Sequence, residues 1–241
     1  MRKARGSKGR APVASTFAKE TMRSIRGSLG RFVAIAAIVA LGCGSCAGLR
    51  MTAPDMARFA DEYYDGTALM DIRVVSTLGL TDADLEALRG LDEVEAVMGA
   101  YETDVMAIID DEQYAVRVHS LPASAAASVQ ADAMSVESDD GSYLNRLVLT
   151  EGRWPEQPGE CIISADRVMA TPTAVGDQVE IDYGASDVDE VLETRRYTIV
   201  GYATTPYYAS STQMGSTSLG SGVVEQFMYV PEDDFAESYP Y

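Results

Sequence analysis

The chain contains few of the residues from which most catalytic and metal sites are built. Its 241 residues include one histidine, His119, three cysteines, and no lysine after Lys19. Cys43 and Cys46 form a C-x-x-C inside an apolar run, without a second pair to complete a zinc site, and Cys161 stands alone. A disulfide framework is therefore excluded, and thiol or metal chemistry is disfavoured.

Several functional motifs are missing as well. No G-x-x-x-x-G-K-[ST] occurs, so the chain does not bind ATP through a Walker motif, and no G-x-S-x-G accompanies His119 for nucleophilic catalysis. Residues 215–222 (GSTSLGSG) lack the context of a dinucleotide site and are predicted to be a mobile loop. Two acidic clusters lack the spacing of a calcium loop and are interpreted as solvated surface: Asp110, Asp111 and Glu112, then Asp187, Asp189, Glu190 and Glu193. We expect no catalytic, cofactor or metal residue and no enzymatic activity.

Positive and negative charges are separated along the chain. Residues 1–31 carry nine Lys or Arg and one acid, a net charge of +8, so a chain of −18 leaves −26 for the remainder. Between them, Phe32 to Leu49 has no charge, and a helix of that length spans roughly 27 Å, close to the roughly 30 Å apolar core of a bilayer. We predict a transmembrane helix at 32–50, with 1–31 cytoplasmic and 51–241 extracytoplasmic. So acidic a domain does not suit nucleic acid as a partner.

The N-terminal segments allow other interpretations. A signal peptide also pairs basic residues with an apolar run, but that run is usually roughly 7 to 15 residues long, and the basic leader here is unusually long. A lipoprotein signal ending at Cys43 or Cys46 fits only loosely. Residues 1–14 are predicted to be a basic tail near anionic lipids, and Thr16 to Leu29 an interfacial helix or simply a basic flank.

Small residues recur at every fourth position of the predicted transmembrane helix. They are Ala36, Ala40, Gly44 and Gly48, and the last two form a GxxxG pair. Such a stripe lets a second helix approach closely, although small residues are common in membrane helices generally. We predict that this stripe packs against another helix of a bundle.

Residues 51–241 predict an α+β domain in two parts, 51–121 and 143–241, joined by a linker at 122–142. The first part reads as a helix followed by β-α-β-β, which suits a helix on one face of a largely antiparallel sheet. Its predicted elements are a helix at Pro54–Tyr64, a strand at Met70–Thr77, a helix capped by Thr81 with Leu85 and Leu88 on one face, a two-part strand at Val94–Met98 and Thr103–Ile109, and a strand at Gln113–Ser120. The second part is mostly β, with strands at Leu147–Leu149, Cys161–Ser164, Gln178–Tyr183, Tyr197–Ala203 and Phe227–Val230. Part of Ala125–Met134 in the linker is compatible with a helix.

The order of these features resembles the start of an FtsX-like, MacB-type ABC transporter permease. The resemblance covers roughly residues 20–241. It rests most specifically on EGRWPEQPGE (Glu151 to Glu160), followed by Gly176-Asp177 and then by IVG at Ile199 to Gly201. It also includes RSIRGSLGRF before the helix and RRYTIVGYATTPYY and FMYVPEDDF near the end of the chain.

The resemblance implies a first transmembrane helix followed by an extracytoplasmic MacB-like domain with an α/β porter-like half and a β-rich half. It also implies a dimeric permease, membrane lipids around it and a separate cytoplasmic ABC ATPase, whose closure moves the outer domains. The family has further transmembrane helices after this domain, so we expect the chain to be the N-terminal part of a longer permease. Two rivals remain, a membrane-anchored extracytoplasmic binding or adhesion module and a secreted or lipidated enzyme.

Overall fold

The structure is a computed structural model that describes residues 13–76, 78–127, 143–165, 173–208 and 214–236. The chain divides into two compact units, Met1–Phe59 and Ala60–Tyr241. The predicted tail at 1–14 and the predicted linker at 122–142 therefore lie mostly outside the described residues.

Two helices account for the described part of the first unit. Helix α1 spans Val13–Gly27, and helix α2 spans Leu29–Gly66, so that it begins in the first unit and ends in the second. None of the residues of α2 is buried, and α2 is long and apolar enough to cross a membrane by length and composition. This agrees with the predicted span, although a signal sequence near an N-terminus passes the same test.

Helix α2 is continuous where the sequence predicted two helices, at 32–50 and at Pro54–Tyr64. Pro54 lies inside it. A proline in a helix interior removes one backbone hydrogen bond and costs roughly 3 kcal/mol. The loss is local, because it is confined to the one hydrogen bond that the Arg50 carbonyl would accept from residue 54. The helix therefore passes through the proline and ends only at Gly66.

Within the described residues of the second unit, seven strands form one sheet. They are β1 (Glu102–Ile109), β2 (Glu112–Leu121), β3 (Val148–Gly152), β4 (Glu160–Ser164), β5 (Gln178–Gly184), β6 (Arg196–Thr204) and β7 (Gln226–Pro231). Their order is β3-β6-β4-β7-β2-β1-β5, and β5 also pairs with the start of β6, so six of these strands close into a ring. The pairs β2–β7 and β4–β6 are parallel and the others are antiparallel. Strands from both predicted parts of the domain thus share one sheet.

Alternation along the strands divides the apolar side chains between two cores. The inner core fills the ring and takes residues from all six ring strands, among them Val105, Val116, Ile163, Val179, Ile199 and Met228. The outer core lies on the opposite face of β2, β4, β6 and β7, where Leu121, Ile162, Ala203, Phe227 and Tyr229 are covered by Tyr143, Leu147, Met214 and Val224. Burial of each of the larger side chains contributes about 1.5–3 kcal/mol to the free energy of unfolding. The strands that bury side chains on both faces therefore contribute most to the stability of the ring.

Short helices and turns complete the second unit. Helix α3 (Asp82–Arg89) begins as predicted, because the backbone N–H and hydroxyl of Thr81 both donate to the Asp84 carboxylate (2.9 and 2.7 Å). Helices α4 (Ser124–Ala127) and α5 (Val188–Val191) have one turn each. A 3-10 helix at Glu232–Asp234 leads to Phe235, whose ring stacks on that of Tyr101 with a centroid distance of 5.2 Å.

Two predicted strands are absent from the described structure. The described residues 70–76 of the predicted strand Met70–Thr77 form no strand, and neither does Val94–Met98. An alternating sequence pattern indicates which face of a strand would be buried, but a strand also needs a neighbouring strand to pair with. Here none is present among the described residues, and the side chains of Ile72 and Val75 remain 81% and 72% exposed. Residues 215–222, which were predicted to be a mobile loop, form a hairpin closed by a bridge between Ser216 and Val223, where Arg117 donates to the Ser216 carbonyl (3.0 Å). Their mobility stays a prediction.

Candidate functional site

The predicted helix-packing stripe lies on the uncovered surface of α2. Ala36, Ala40, Gly44 and Gly48 are all exposed, and a Cβ added at either glycine would meet nothing within 4 Å. The helix thus offers this face to a partner, and the packing role stays a prediction. Cys43 and Cys46 are exposed on the same helix without a disulfide, and Cys161 is buried in the inner core.

The segment EGRWPEQPGE folds back on itself through an ion pair. The guanidinium of Arg153 donates to both carboxylate oxygens of Glu160, with 2.8 Å from Nη1 to Oε2. The same carboxylate accepts the backbone N–H of Glu156 (2.9 Å). These hydrogen bonds lower the pKa of Glu160 to about 2. The motif is therefore a turn closed by the ion pair between its arginine, Arg153, and its last residue, Glu160.

The three most specific pieces of the resemblance meet on strand β6. Arg153 donates its backbone N–H to the Val200 carbonyl (2.9 Å), and Gly152 pairs with Gly201. From the other side, Gly176 donates to the Ile199 carbonyl and Ile199 donates to the Asp177 carbonyl, at 2.8 and 2.9 Å. Although the three pieces lie up to some fifty residues apart in sequence, they form one structural unit.

Close backbone approach explains two glycines of this unit, Gly152 and Gly201. A Cβ on Gly152 would lie 2.2 Å from the Val200 oxygen, and one on Gly201 would lie 2.6 Å from the Arg153 oxygen. Gly152 also has a φ of +82°, which L-residues with a side chain rarely adopt. The motif is explained by backbone packing, and none of its contacts indicates a ligand.

A second cluster surrounds His119 on the outer face of the sheet. His119 is buried on β2, and its ring stacks on Tyr229 of β7, with centroids 4.9 Å apart and planes at 22°. Its Nε2 lies 2.6 Å from the Tyr208 hydroxyl, and its Nδ1 lies 3.4 Å from Glu102 Oε2. The Tyr207 ring meets it edge-on at 5.3 Å. Both ring nitrogens thus lie close to protein polar groups, and the imidazole contacts two aromatic rings as well.

Four charged side chains complete the His119 cluster. Arg117 binds Asp104 with both Nε and Nη2 (2.6 and 2.9 Å), a bidentate geometry that is among the strongest between ions in proteins. Arg73 pairs with Glu102 (2.9 Å) and lies over the Tyr207 ring at 5.7 Å. The two cations and two anions balance, so a neutral imidazole leaves the cluster without net charge.

The pKa shifts follow from this arrangement. Burial lowers the pKa of His119 to about 4, with Glu102 opposing the shift and Arg117 and Arg73 adding to it. The hydrogen bonds to Asp104 raise the pKa of Arg117 further. Burial also raises the pKa of Tyr207 to about 12 and that of Tyr208 beyond it. Arg73, Arg117 and Asp104 therefore stay charged near neutral pH, while His119 stays neutral.

Sequence reasoning placed His119 correctly in a strand but missed its partners. Tyr207 and Tyr208 stand 88 and 89 residues away, and only the tyrosine pair in TTPYY could have drawn attention to them. Within the described residues, His119 is only 6% exposed and lies against aromatic rings and Glu102. We therefore interpret it as a polar core beneath the outer surface.

The two acidic clusters are exposed, as predicted: Asp110, Asp111, Glu112, Asp187, Asp189, Glu190 and Glu193. Among the described residues, no group of three or more His, Cys, Asp or Glu side chains could hold a metal ion.

Comparisons with known proteins give little support for any particular function. No protein-family model matches, and no curated protein matches. Among solved structures, the chain is similar to the extracellular domain of the noncanonic ABC-type transporter YknZ from Gram-positive bacteria, with 16% identity and a TM-score of 0.35. The similarity covers 66% of this chain and 65% of that one. Because so low a TM-score does not establish a shared fold, the function has to be inferred from the residues of the chain itself.

Proposed function

We propose that the chain is the N-terminal part of an ABC transporter permease subunit. In this proposal, a partner ATPase hydrolyses ATP in the cytoplasm, and α2 carries the resulting movement to the extracytoplasmic domain for export or mechanotransmission. The chain itself is not an enzyme. The observation that carries the proposal is that a helix of membrane-spanning length and composition runs unbroken to Gly66.

Within the second unit, the residues directly after α2 are held by several hydrogen bonds. Directly after the helix, the carbonyls of Thr67 and Ala68 accept the backbone N–H groups of Arg146 and Asn145, both at 2.8 Å. The Asn145 side chain in turn accepts the Met70 N–H (2.9 Å). Three hydrogen bonds in four residues couple the helix end to the segment before β3, which is what a transmitted displacement requires.

The charge distribution supports an orientation with the basic end inside. Helix α1 carries Lys19, Arg23 and Arg26 with exposed Phe17 and Met22, a composition suited to an anionic lipid surface. The acidic remainder of −26 then lies outside, in agreement with the positive-inside rule. Protease digestion of intact and inverted membrane vesicles tests this orientation. Loss of the 51–241 region in inverted vesicles only would contradict it.

The partner face of α2 can be tested with a matched pair of substitutions. Gly44→Leu fills the small stripe, whereas Gly42→Leu makes the same change on roughly the opposite side of the helix, and both glycines are uncrowded. With a photo-crosslinking residue at Ala40 of the full chain in native membranes, we expect Gly44→Leu to reduce crosslinking to a polytopic membrane protein severalfold and Gly42→Leu to leave it unchanged. Equal effects of the two substitutions would reject the stripe as an interface.

The transport role itself has a separate test. The full tagged chain, purified in mild detergent from its native host, should bring with it a Walker-motif subunit and ATP hydrolysis that vanadate inhibits. Recovery of the chain without either would favour the alternative, an anchored binding or adhesion module. A mature chain that begins after the apolar segment would show that this segment is a cleaved signal.

A further inference from the structure

The hydrogen bonds around His119 assign a tautomer to the neutral ring. Nδ1 faces the Glu102 carboxylate, which only accepts, so Nδ1 carries the proton. Nε2 then presents its lone pair and accepts the hydrogen of the Tyr208 hydroxyl at 2.6 Å. The neutral imidazole thus links β1 to Tyr208 through one donor and one acceptor.

Protonation of His119 would remove this pairing of one donor nitrogen and one acceptor nitrogen with their partners. A second N–H at Nε2 turns the imidazole into a donor on both sides, so the Tyr208 hydroxyl has to accept and its own buried hydrogen loses its acceptor. The added charge also faces Arg73 and Arg117, while Glu102 is already shared with Arg73 at 2.9 Å and Arg117 at 3.5 Å. A cluster that balances with a neutral ring would hold an uncompensated positive charge.

The elements that pack on His119 differ in how firmly they are held. On the sheet itself, the ring faces Glu102 and Asp104 of β1, Arg117 of β2 and Tyr229 of β7. Outside the sheet, it faces Tyr207 and Tyr208 of the segment 205–208 and Arg73 of the segment 70–76. Neither outer segment belongs to a strand or helix of the described structure. Contacts with His119 and Glu102 are part of their attachment, beside the stacking of Tyr208 on Phe227 (5.2 Å) and the hydrogen bond from Met70 N to the Asn145 side chain (2.9 Å).

We propose that His119 is a pH switch, which holds the segment 205–208 and Arg73 on the outer face of the sheet while its ring is neutral and releases them when it is protonated. Release breaks the Tyr208 hydrogen bond and exposes the ring to water. The burial that lowers the pKa of His119 to about 4 works in the same direction, because an exposed histidine titrates near 6.5. This proposal does not depend on the partner of α2 or on a transport role.

The size of the response follows from linkage. If the open form titrates at 6.5 and the closed form near 4, the opening equilibrium should rise about 30-fold between pH 8 and pH 5. Hydrogen exchange of the full chain in nanodiscs, corrected for the intrinsic rate at each pH, measures this at the amides of residues 207 and 208. Amides of β5, such as those of Val179 and Ile181, serve as an internal reference and should show no such rise.

Two variants separate His119 from other titrating groups. His119→Gln keeps a donor and an acceptor but does not titrate, so exchange at 207–208 should become independent of pH. Asp234→Asn removes a distant carboxyl whose burial raises its pKa to about 6, and it should leave the 30-fold response intact.

A direct measurement keeps the test independent of how well the variants fold. Because the chain has one histidine, a histidine-labelled sample gives one imidazole signal in the NMR spectrum. A titration midpoint well below 6.5 supports the proposal. A midpoint at or above 6.5, or the same pH response in His119→Gln, would overturn it.

Discussion

The contact between strands β3 and β6 offers the sharpest test of the fold, because two glycines meet there. In Gly152→Ala the new Cβ would lie 2.2 Å from the Val200 oxygen and 2.7 Å from the Gly201 Cα. An ordinary carbon–oxygen contact is about 3.3 Å, so the strands would have to separate by about 1 Å. That movement would break the hydrogen bond from Arg153 N to the Val200 oxygen (2.9 Å).

The cost of Gly152→Ala has three parts. A positive φ with a side chain costs about 1–2 kcal/mol, overpacking against backbone about 1–3 kcal/mol, and the lost hydrogen bond about 1 kcal/mol. We therefore expect the free energy of unfolding to fall by about 4 kcal/mol. Since a domain has only about 5–15 kcal/mol in total, such a loss is large.

Two other glycines separate these causes. Gly201→Ala places a Cβ 2.6 Å from the Arg153 oxygen but needs no positive φ, so about 2–3 kcal/mol is expected. Gly176→Ala has a φ of +104° and nothing within 4 Å, so only the strain of about 1–2 kcal/mol applies. The expected order of destabilisation is Gly152, then Gly201, then Gly176.

Fluorescence of Trp154 provides the assay. It is the single tryptophan of the chain, and it packs against the outer core two residues after Gly152. Denaturant unfolding of the full chain and the three variants, followed at this residue, gives the differences directly. If Gly152→Ala were no more destabilising than Gly176→Ala, backbone crowding at β3 and β6 would be refuted as the reason for the glycine.

Three further predictions concern charged side chains. The hydrogen bond from Arg153 lowers the pKa of Glu160 to about 2, so this ion pair stabilises the fold above pH 4.5, and its contribution is lost as the pH falls through 2. Glu160→Gln should therefore lower the unfolding midpoint at pH 7 but hardly at pH 2. An equal effect at both pH values would contradict this. Arg117→Leu should cost about 3–5 kcal/mol, because Asp104 loses its ion-pair partner and keeps only the hydrogen bond from Thr217. Adding Asp104→Leu should recover most of this loss when unfolding by denaturant is measured in a double-mutant cycle, whereas additive losses would argue against coupling. Burial raises the pKa of Asp234 to about 6, so ionisation of this carboxyl destabilises the fold as the pH rises from 3.8 through 6. Asp234→Asn should flatten this part of the plot of unfolding free energy against pH. An unchanged slope would show that Asp234 is not its cause.

Local pattern predicted the strands well wherever a neighbouring strand exists. The strand predicted at Gln178–Tyr183 is observed at Gln178–Gly184, and that predicted at Phe227–Val230 at Gln226–Pro231. In β5 one face is buried, so the alternation in its sequence records real burial, whereas β7 is apolar on both faces and both are buried. The same kind of pattern failed at Met70–Thr77, because β propensity expresses what a chain can form and hydrogen bonds need a second strand.

The candidate sites show a similar division. The small-residue stripe on α2 is a property of helical spacing and can be identified without any structure. The His119 cluster combines residues from four separate stretches of the chain, around 73, 102–119, 207–208 and 229. No local pattern relates these stretches, since their proximity results from the order of strands in the sheet.

The amino-acid sequence by itself determined the properties that depend on neighbours in the chain. These are the basic end, the helix long enough to cross a membrane, the start of α3 at Thr81 and most strand positions, each set by local charge, hydropathy or side-chain geometry. The tertiary structure alone decided the closure of the ring by β5 and β6, the meeting of Gly152 with Gly201 and the enclosure of His119. The reason is physical: a hydrogen bond or a close approach between distant residues depends on which strands lie side by side, and that is settled by burial of the whole sheet.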